Sequence, residues 1–128
     1  MTAQQELFSY FKTALPQAYD GALPAPDTPY PFYYLAETYE DIGASKTGTY
    51  GTVTLIAHVW HNDWNQRGTV SAMIDNLRNI ADAVSSTQTY KWSHIRSESE
   101  FQLLADNTTR PPLMHGWLSL RFMYSKKG

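Results

Sequence analysis

The sequence predicts a single α+β domain over residues 1–128, a mainly antiparallel four-stranded sheet with two helices packed on one face, in the order α-β-β-α-β-β. Three observations carry this expectation. Val70, Met73, Ile74, Leu77, Ile80, Ala81 and Val84 recur at three- and four-residue steps, a stripe that only a helix gathers on one side. Val53, Leu55, Ala57 and Val59 alternate with Thr52, Thr54 and His58, the period of a strand with one buried face. Aromatic residues make up 14% of the chain, with nine Tyr and four Trp, and such side chains favour strands and contact surfaces.

Each element follows in order. From Thr2 to about Leu15, the residues Leu7, Phe8, Phe11 and Leu15 fall at helical spacing, and Pro16 ends the run. Five prolines between Pro16 and Pro31 make the next segment an extended linker along the surface, because each ring fixes φ and deletes a donor. Phe32 to Ile42 and Thr52 to Trp60 form a hairpin around the turn Lys46-Thr-Gly-Thr-Tyr-Gly. The second helix follows Arg67-Gly68, with Thr69 or Ser71 as its cap, and breaks at Ser85-Ser86-Thr87. Tyr90 to about Leu104 reads as a third strand, Asn107-Thr-Thr-Arg-Pro-Pro as a turn, and Leu118, Leu120 and Phe122 alternate with polar neighbours in a last strand. With both helices on one face, the other face stays open, and Tyr33, Tyr39, Trp60, Trp92 and Trp117 are placed on it as a contact surface.

Composition narrows the function. An apolar fraction of 42% and a charged fraction of 17% suit a folding chain. A formal charge of −2 supplies no excess positive field for a phosphate backbone. The absence of cysteine removes disulfide frameworks, thiolate metal sites and cysteine nucleophiles, and suits a reducing compartment. Neither a signal peptide nor an apolar run of about 20 residues is visible.

No catalytic constellation emerges, so the chain is expected not to be an enzyme and to need no cofactor. His58 and His61, with Asp63 beyond them, would need to converge on a metal, but positions three apart on a strand face opposite sides. His94 and His115 have no serine set in a G-x-S-x-G turn, and no acid is placed beside them by spacing. Glu98 and Glu100 share a face of the third strand, which reads as the solvent face. Gly48, Gly51 and Gly68 form no phosphate-cradling pattern.

The stretch His58-Val-Trp-His-Asn-Asp-Trp-Asn-Gln-Arg-Gly-Thr-Val-Ser-Ala-Met-Ile resembles a family of small tail components from siphophages of Gram-positive bacteria. So do Tyr30-Pro-Phe-Tyr-Tyr-Leu-Ala-Glu upstream and Phe11 to Tyr19 before it. In that family a strand passes through a polar Arg-Gly loop into a long amphipathic helix, and Arg67, Gly68 and Met73 match that passage. The resemblance spans most of the chain. It implies a tail terminator, also called a tail-completion or head-tail joining protein. Such a homo-oligomer, a hexameric ring, caps the tail tube protein, stops tube growth and docks the head connector. It further implies a place in the virion, assembly in the host cytoplasm, and DNA only as cargo passing through the lumen.

Subunit contacts repeated around an axis close into a ring and need two complementary patches per chain. The loop from His61 to Arg67 is the first candidate, with Trp60, His61, Asp63, Trp64 and Arg67, because Trp and Arg are enriched among residues that dominate interfaces. The loop from Lys46 to Gly51, with Lys46 and Tyr50, is the second. The competing readings are a head-closure or connector ring, and a small module that binds a soluble protein partner.

Overall fold

The computed structural model describes residues 1–41, 49–108 and 112–128. Helix α1 (Ala3–Ala14) starts at Thr2, whose hydroxyl accepts from Gln5 N–H while Gln5 Oε1 accepts from Thr2 N–H at 2.8 Å. This reciprocal cap satisfies two donors that no helical carbonyl reaches. Leu7 and Phe11, one turn apart, are fully buried, and Leu15 closes the helix before Pro16. Helix α2 (Arg67–Ala83) buries Val70, Ile74, Leu77 and Ala81. Its cap position is Gln66, so Thr69 and Ser71 lie inside the helix, and Thr69 instead donates to Gln66 Oε1 at 2.9 Å.

The strands are β1 (Tyr19–Asp20), β2 (Phe32–Asp41), β3 (Tyr50–His61), β4 (Tyr90–His94), β5 (Glu100–Asp106) and β6 (Leu113–Lys126). Among the described residues they form one six-stranded sheet in the order β1-β2-β3-β6-β4, with β5 also on β6. All pairings are antiparallel except β1 with β2. The sheet is therefore six-stranded and mixed, and the expected four-stranded antiparallel sheet in the order α-β-β-α-β-β is wrong, although the class is α+β.

Two local effects explain the difference. Tyr19 and Asp20, lying between prolines, keep their backbone donors and pair with Tyr34 and Leu35, so the proline-rich segment is not only a linker. The run from Tyr90 to Leu104 breaks into a 3-10 turn at Arg96–Glu98. There the Ser99 hydroxyl donates to Ile95 O at 2.9 Å, a side-chain bond that competes with the strand ladder. The two halves flank different lengths of β6, β4 beside Phe122 to Lys126 and β5 beside Leu113 to Ser119. Glu98 thus lies in the turn and shares no strand face with Glu100.

Strict alternation sends Val53, Leu55, Ala57 and Val59 from β3, and Met114, Leu118, Leu120, Phe122 and Tyr124 from β6, toward the helices. Phe11 meets Phe122 edge-on at 5.9 Å between ring centroids. Gly116 lets α2 approach the sheet, since a Cβ there would stand 2.9 Å from Ile74 Cδ1. Tyr33 and Trp92, expected on the open face, belong to this core at 8% and 6% exposure. A bulge between Leu35 and Glu37 shifts the β2 register and turns Thr38 and Glu40 toward the helices. There Glu40 accepts from Tyr124 OH at 3.1 Å and Gln4 N–H at 3.3 Å. Glu6 is buried, and its carboxylate accepts from Thr89 N–H at 2.9 Å. Burial pushes this carboxyl up, but the Thr87 and Thr89 hydrogen bonds outweigh it and hold it below its ordinary value.

Candidate assembly surface

No described helix lies over the second face of the sheet. Its rows follow from the register. The first is Phe32, Trp60, His115 and Leu104, and the second is Tyr34, His58, Trp117 and Gln102. The next row, Glu37, Ile56, Ser119 and Glu100, is mostly polar. Rings therefore gather at the end of the sheet where β3 stops and β6 starts, with Asp106 of β5 at its margin, and Glu37 and Glu100 lie in the row beyond.

Within the ring-bearing end the side chains stack. The Trp60 and His115 rings are parallel within 3° at 3.7 Å, His58 and His115 lie 4.9 Å apart, and Tyr34 stacks on His58 at 5.9 Å. His58 Nδ1 and His115 Nε2 are 2.7 Å apart. One nitrogen must donate and the other accept, so the contact cannot survive with both rings doubly protonated. Burial pushes His58 below its ordinary value against an opposing pull from Glu37. Burial, and then the charge of His58, push His115 down to about 4 against Asp106. The two imidazoles are thus neutral near pH 7.

The same end carries two further features. Leu23, Pro24, Pro26, Tyr30, Phe32, Trp60 and Leu113 enclose most of a cavity of about 200 Å³. Beyond β3, the loop from His61 to Arg67 is pinned by Asp63, whose carboxylate accepts from Asn65 N–H at 3.0 Å and whose own N–H donates to His61 Nδ1. Trp64 projects from it with 54% exposure.

Of the residues selected from sequence, Trp60, His61, Asp63, Trp64 and Arg67 are brought to this one end. Trp60 is half-buried on the open face, stacked on His115, and Arg67 is exposed as the first residue of α2. Tyr50 is exposed at the opposite end of β3 and does not join them. Lys46 lies outside the described residues. Sequence reasoning missed His58 and His115 as partners: they are 57 positions apart and meet only through the pairing of β3 with β6.

A second cluster was also missed. His94 Nδ1 lies 2.7 Å from Asp82 Oδ1, and His94 Nε2 lies 2.9 Å from Ser99 Oγ. This is the order of an acid, base and hydroxyl triad. Asp82 also accepts from Arg96 Nε at 3.0 Å and Nη2 at 2.5 Å, and the Arg96 and His94 bonds hold its carboxyl down at about 2. The Ser99 hydroxyl is already engaged, donating to Ile95 O at 2.9 Å and accepting from Arg121 N–H at 3.0 Å. The adjoining cavity is only about 100 Å³. These bonds tie the end of α2 to the 3-10 turn, which is the structural work the cluster does.

No protein-family model matches the sequence, and no curated protein matches it. Among solved structures, the fold is similar to a chain from the virion of a native gene transfer agent particle, with a TM-score of 0.59 and 12% identity. The match covers 98% of this chain and 96% of that one. At this identity the likeness shows a shared fold over the whole domain.

Proposed function

We propose that the chain is a structural subunit of a virion: a tail terminator whose copies close into a hexameric ring on the tail tube, end its growth and present a docking surface to the head connector. The observation that carries this reading is the sheet face with no described helix over it, where the half-buried rings of Tyr34, His58, Trp60 and His115 stack into an ordered surface, with Trp64 exposed in the loop after β3. A soluble chain holds such a patch at a cost in solvation unless a partner covers it. Support comes also from the whole-length fold match to a virion chain and from the siphophage tail-component pattern around Arg67, Gly68 and Met73. On this reading the chain works by assembly and not by catalysis, and the Asp82, His94 and Ser99 cluster is structural.

The test is the solution mass measured by light scattering across protein and salt concentration, with electron microscopy of the same samples. Rings of six times the 14.6 kDa chain are expected, alone or on added tail tubes. A monomer under every condition, with no rings on tubes, would remove the proposal and favour a module for a soluble partner.

A further inference from the structure

We infer that copies of this chain join edge to edge, the outer edge of β5 in one copy pairing with the outer edge of β2 in the next, so that one continuous sheet runs through the assembly. This rests on the proposed reading of the chain as a self-assembling subunit and names the contact that builds it.

The two edges are left open at opposite sides of one sheet. At β4 the chain covers its own edge, through the Ser86 and Lys91 bridge and a Trp92 N–H to Ser85 O bond of 2.9 Å. At β5 no described strand does so. On the far side, β1 covers β2 only at Tyr34 and Leu35, and from Glu37 to Glu40 no described strand lies outside it. Exposed edges are normally blunted with lysine, proline or a bulge; β2 carries one bulge, between Leu35 and Glu37, and runs regularly from Glu37 to Asp41 beyond it, whereas β5 has none. The β5 sequence Glu-Phe-Gln-Leu-Leu-Ala-Asp has no lysine, proline or glycine, and it exposes Phe101 at 51% and Leu104 at 48%.

The strand directions fit a second copy. β2 is antiparallel to β3, β3 to β6, and β6 to β5, so β2 and β5 run in opposite senses. A neighbour in the same orientation therefore sets its β2 antiparallel to β5, the more stable ladder. The contact uses two different patches, and the twist between adjacent strands rotates each copy relative to the last, as ring closure requires. On the open face, Glu37 on one edge comes near Glu100 and Asp106 on the other, so the edges repel at low ionic strength. Screening then strengthens association as salt rises.

The chain has no cysteine, which permits a clean crosslinking test. Tyr39 and Gln102 are exposed on the open face of the two edge strands, and E37C, E100C and L104C sample the neighbouring registers. Under mild oxidation the Y39C/Q102C double variant, or a neighbouring combination, is expected to give a covalent ladder up to the ring. A mixture of the two single variants should give dimers only, and either single variant alone should give none. Crosslinking should increase severalfold from low salt to physiological salt. If the protein is a ring by mass but no combination crosslinks, the edge contact is wrong while the ring stands. Dimers from a single variant alone would replace the head-to-tail contact with a symmetric one. A monomer throughout would overturn both the contact and the assembly reading.

Discussion

Placing a methyl group at Gly116 tests how tightly α2 packs on the sheet behind the ring-lined face. Gly116 lies between His115 and Trp117 on β6, and the missing Cβ would stand 2.9 Å from Ile74 Cδ1, 3.1 Å from Ile74 Cγ1 and 3.3 Å from Val70 Cγ1. Overpacking of this kind costs about 1–3 kcal/mol. The backbone there does not have positive φ, so Gly116→Ala also gains about 0.4–1 kcal/mol by restricting the unfolded chain. The net loss is therefore between about 0 and 2.6 kcal/mol. Ile74→Val deletes the nearest clashing carbon and alone costs about 0.5–1.5 kcal/mol. The double variant should be less destabilised than the sum of the singles by about 1 kcal/mol, since the two groups touch. Urea unfolding of the four proteins measures this as shifts in midpoint at constant slope. Additivity within about 0.3–0.5 kcal/mol, or a stabilised Gly116→Ala, would refute the packing argument.

Acid should weaken the fold through the imidazole pair. His58 and His115 are depressed in the folded state, so the unfolded chain binds their protons first; their contribution is whole above pH 6.5 and declines as pH falls, that of His115 being lost through about 4. His115→Asn should flatten that part of the pH profile, and an unchanged slope in urea midpoints between pH 7 and pH 4 would count against the pairing. Glu6→Ala leaves Thr89 N–H without its carboxylate and should cost about 1–3 kcal/mol, read in the same assay. Trp64→Ala, at an exposed loop position, should change stability by less than about 0.5 kcal/mol yet reduce the ring fraction in light scattering. A ring fraction equal to that of the unsubstituted chain would remove Trp64 from the interface.

What was legible in the sequence is what depends on short-range period. The stripe from Val70 to Val84 and the alternation from Val53 to Val59 set both the elements and their buried sides, because those patterns are local. The open face was also legible, and Tyr39, Trp60 and Trp117 lie on it. The break at Arg96–Glu98 was not, since it rests on one hydroxyl choosing Ile95 O over the ladder. The β2 bulge was hidden likewise, with no glycine or proline to announce it. Tyr33 and Trp92 went to the core for a reason composition does not carry: the register of each strand decides which side a ring takes. The chemistry was least legible of all. His58 with His115, and Asp82 with His94 and Ser99, are assembled from separate elements, and no spacing along the chain encodes their contact.

The most direct measurement is the growth of tail tubes from purified siphophage tube protein, followed by electron microscopy with and without this chain. Tubes that stop elongating and carry a ring at one end, with fewer rings in Trp64→Ala, would bear out the proposed role of tail terminator. Tubes that keep growing at the same rate, with the chain left in the supernatant when they are sedimented, would contradict it.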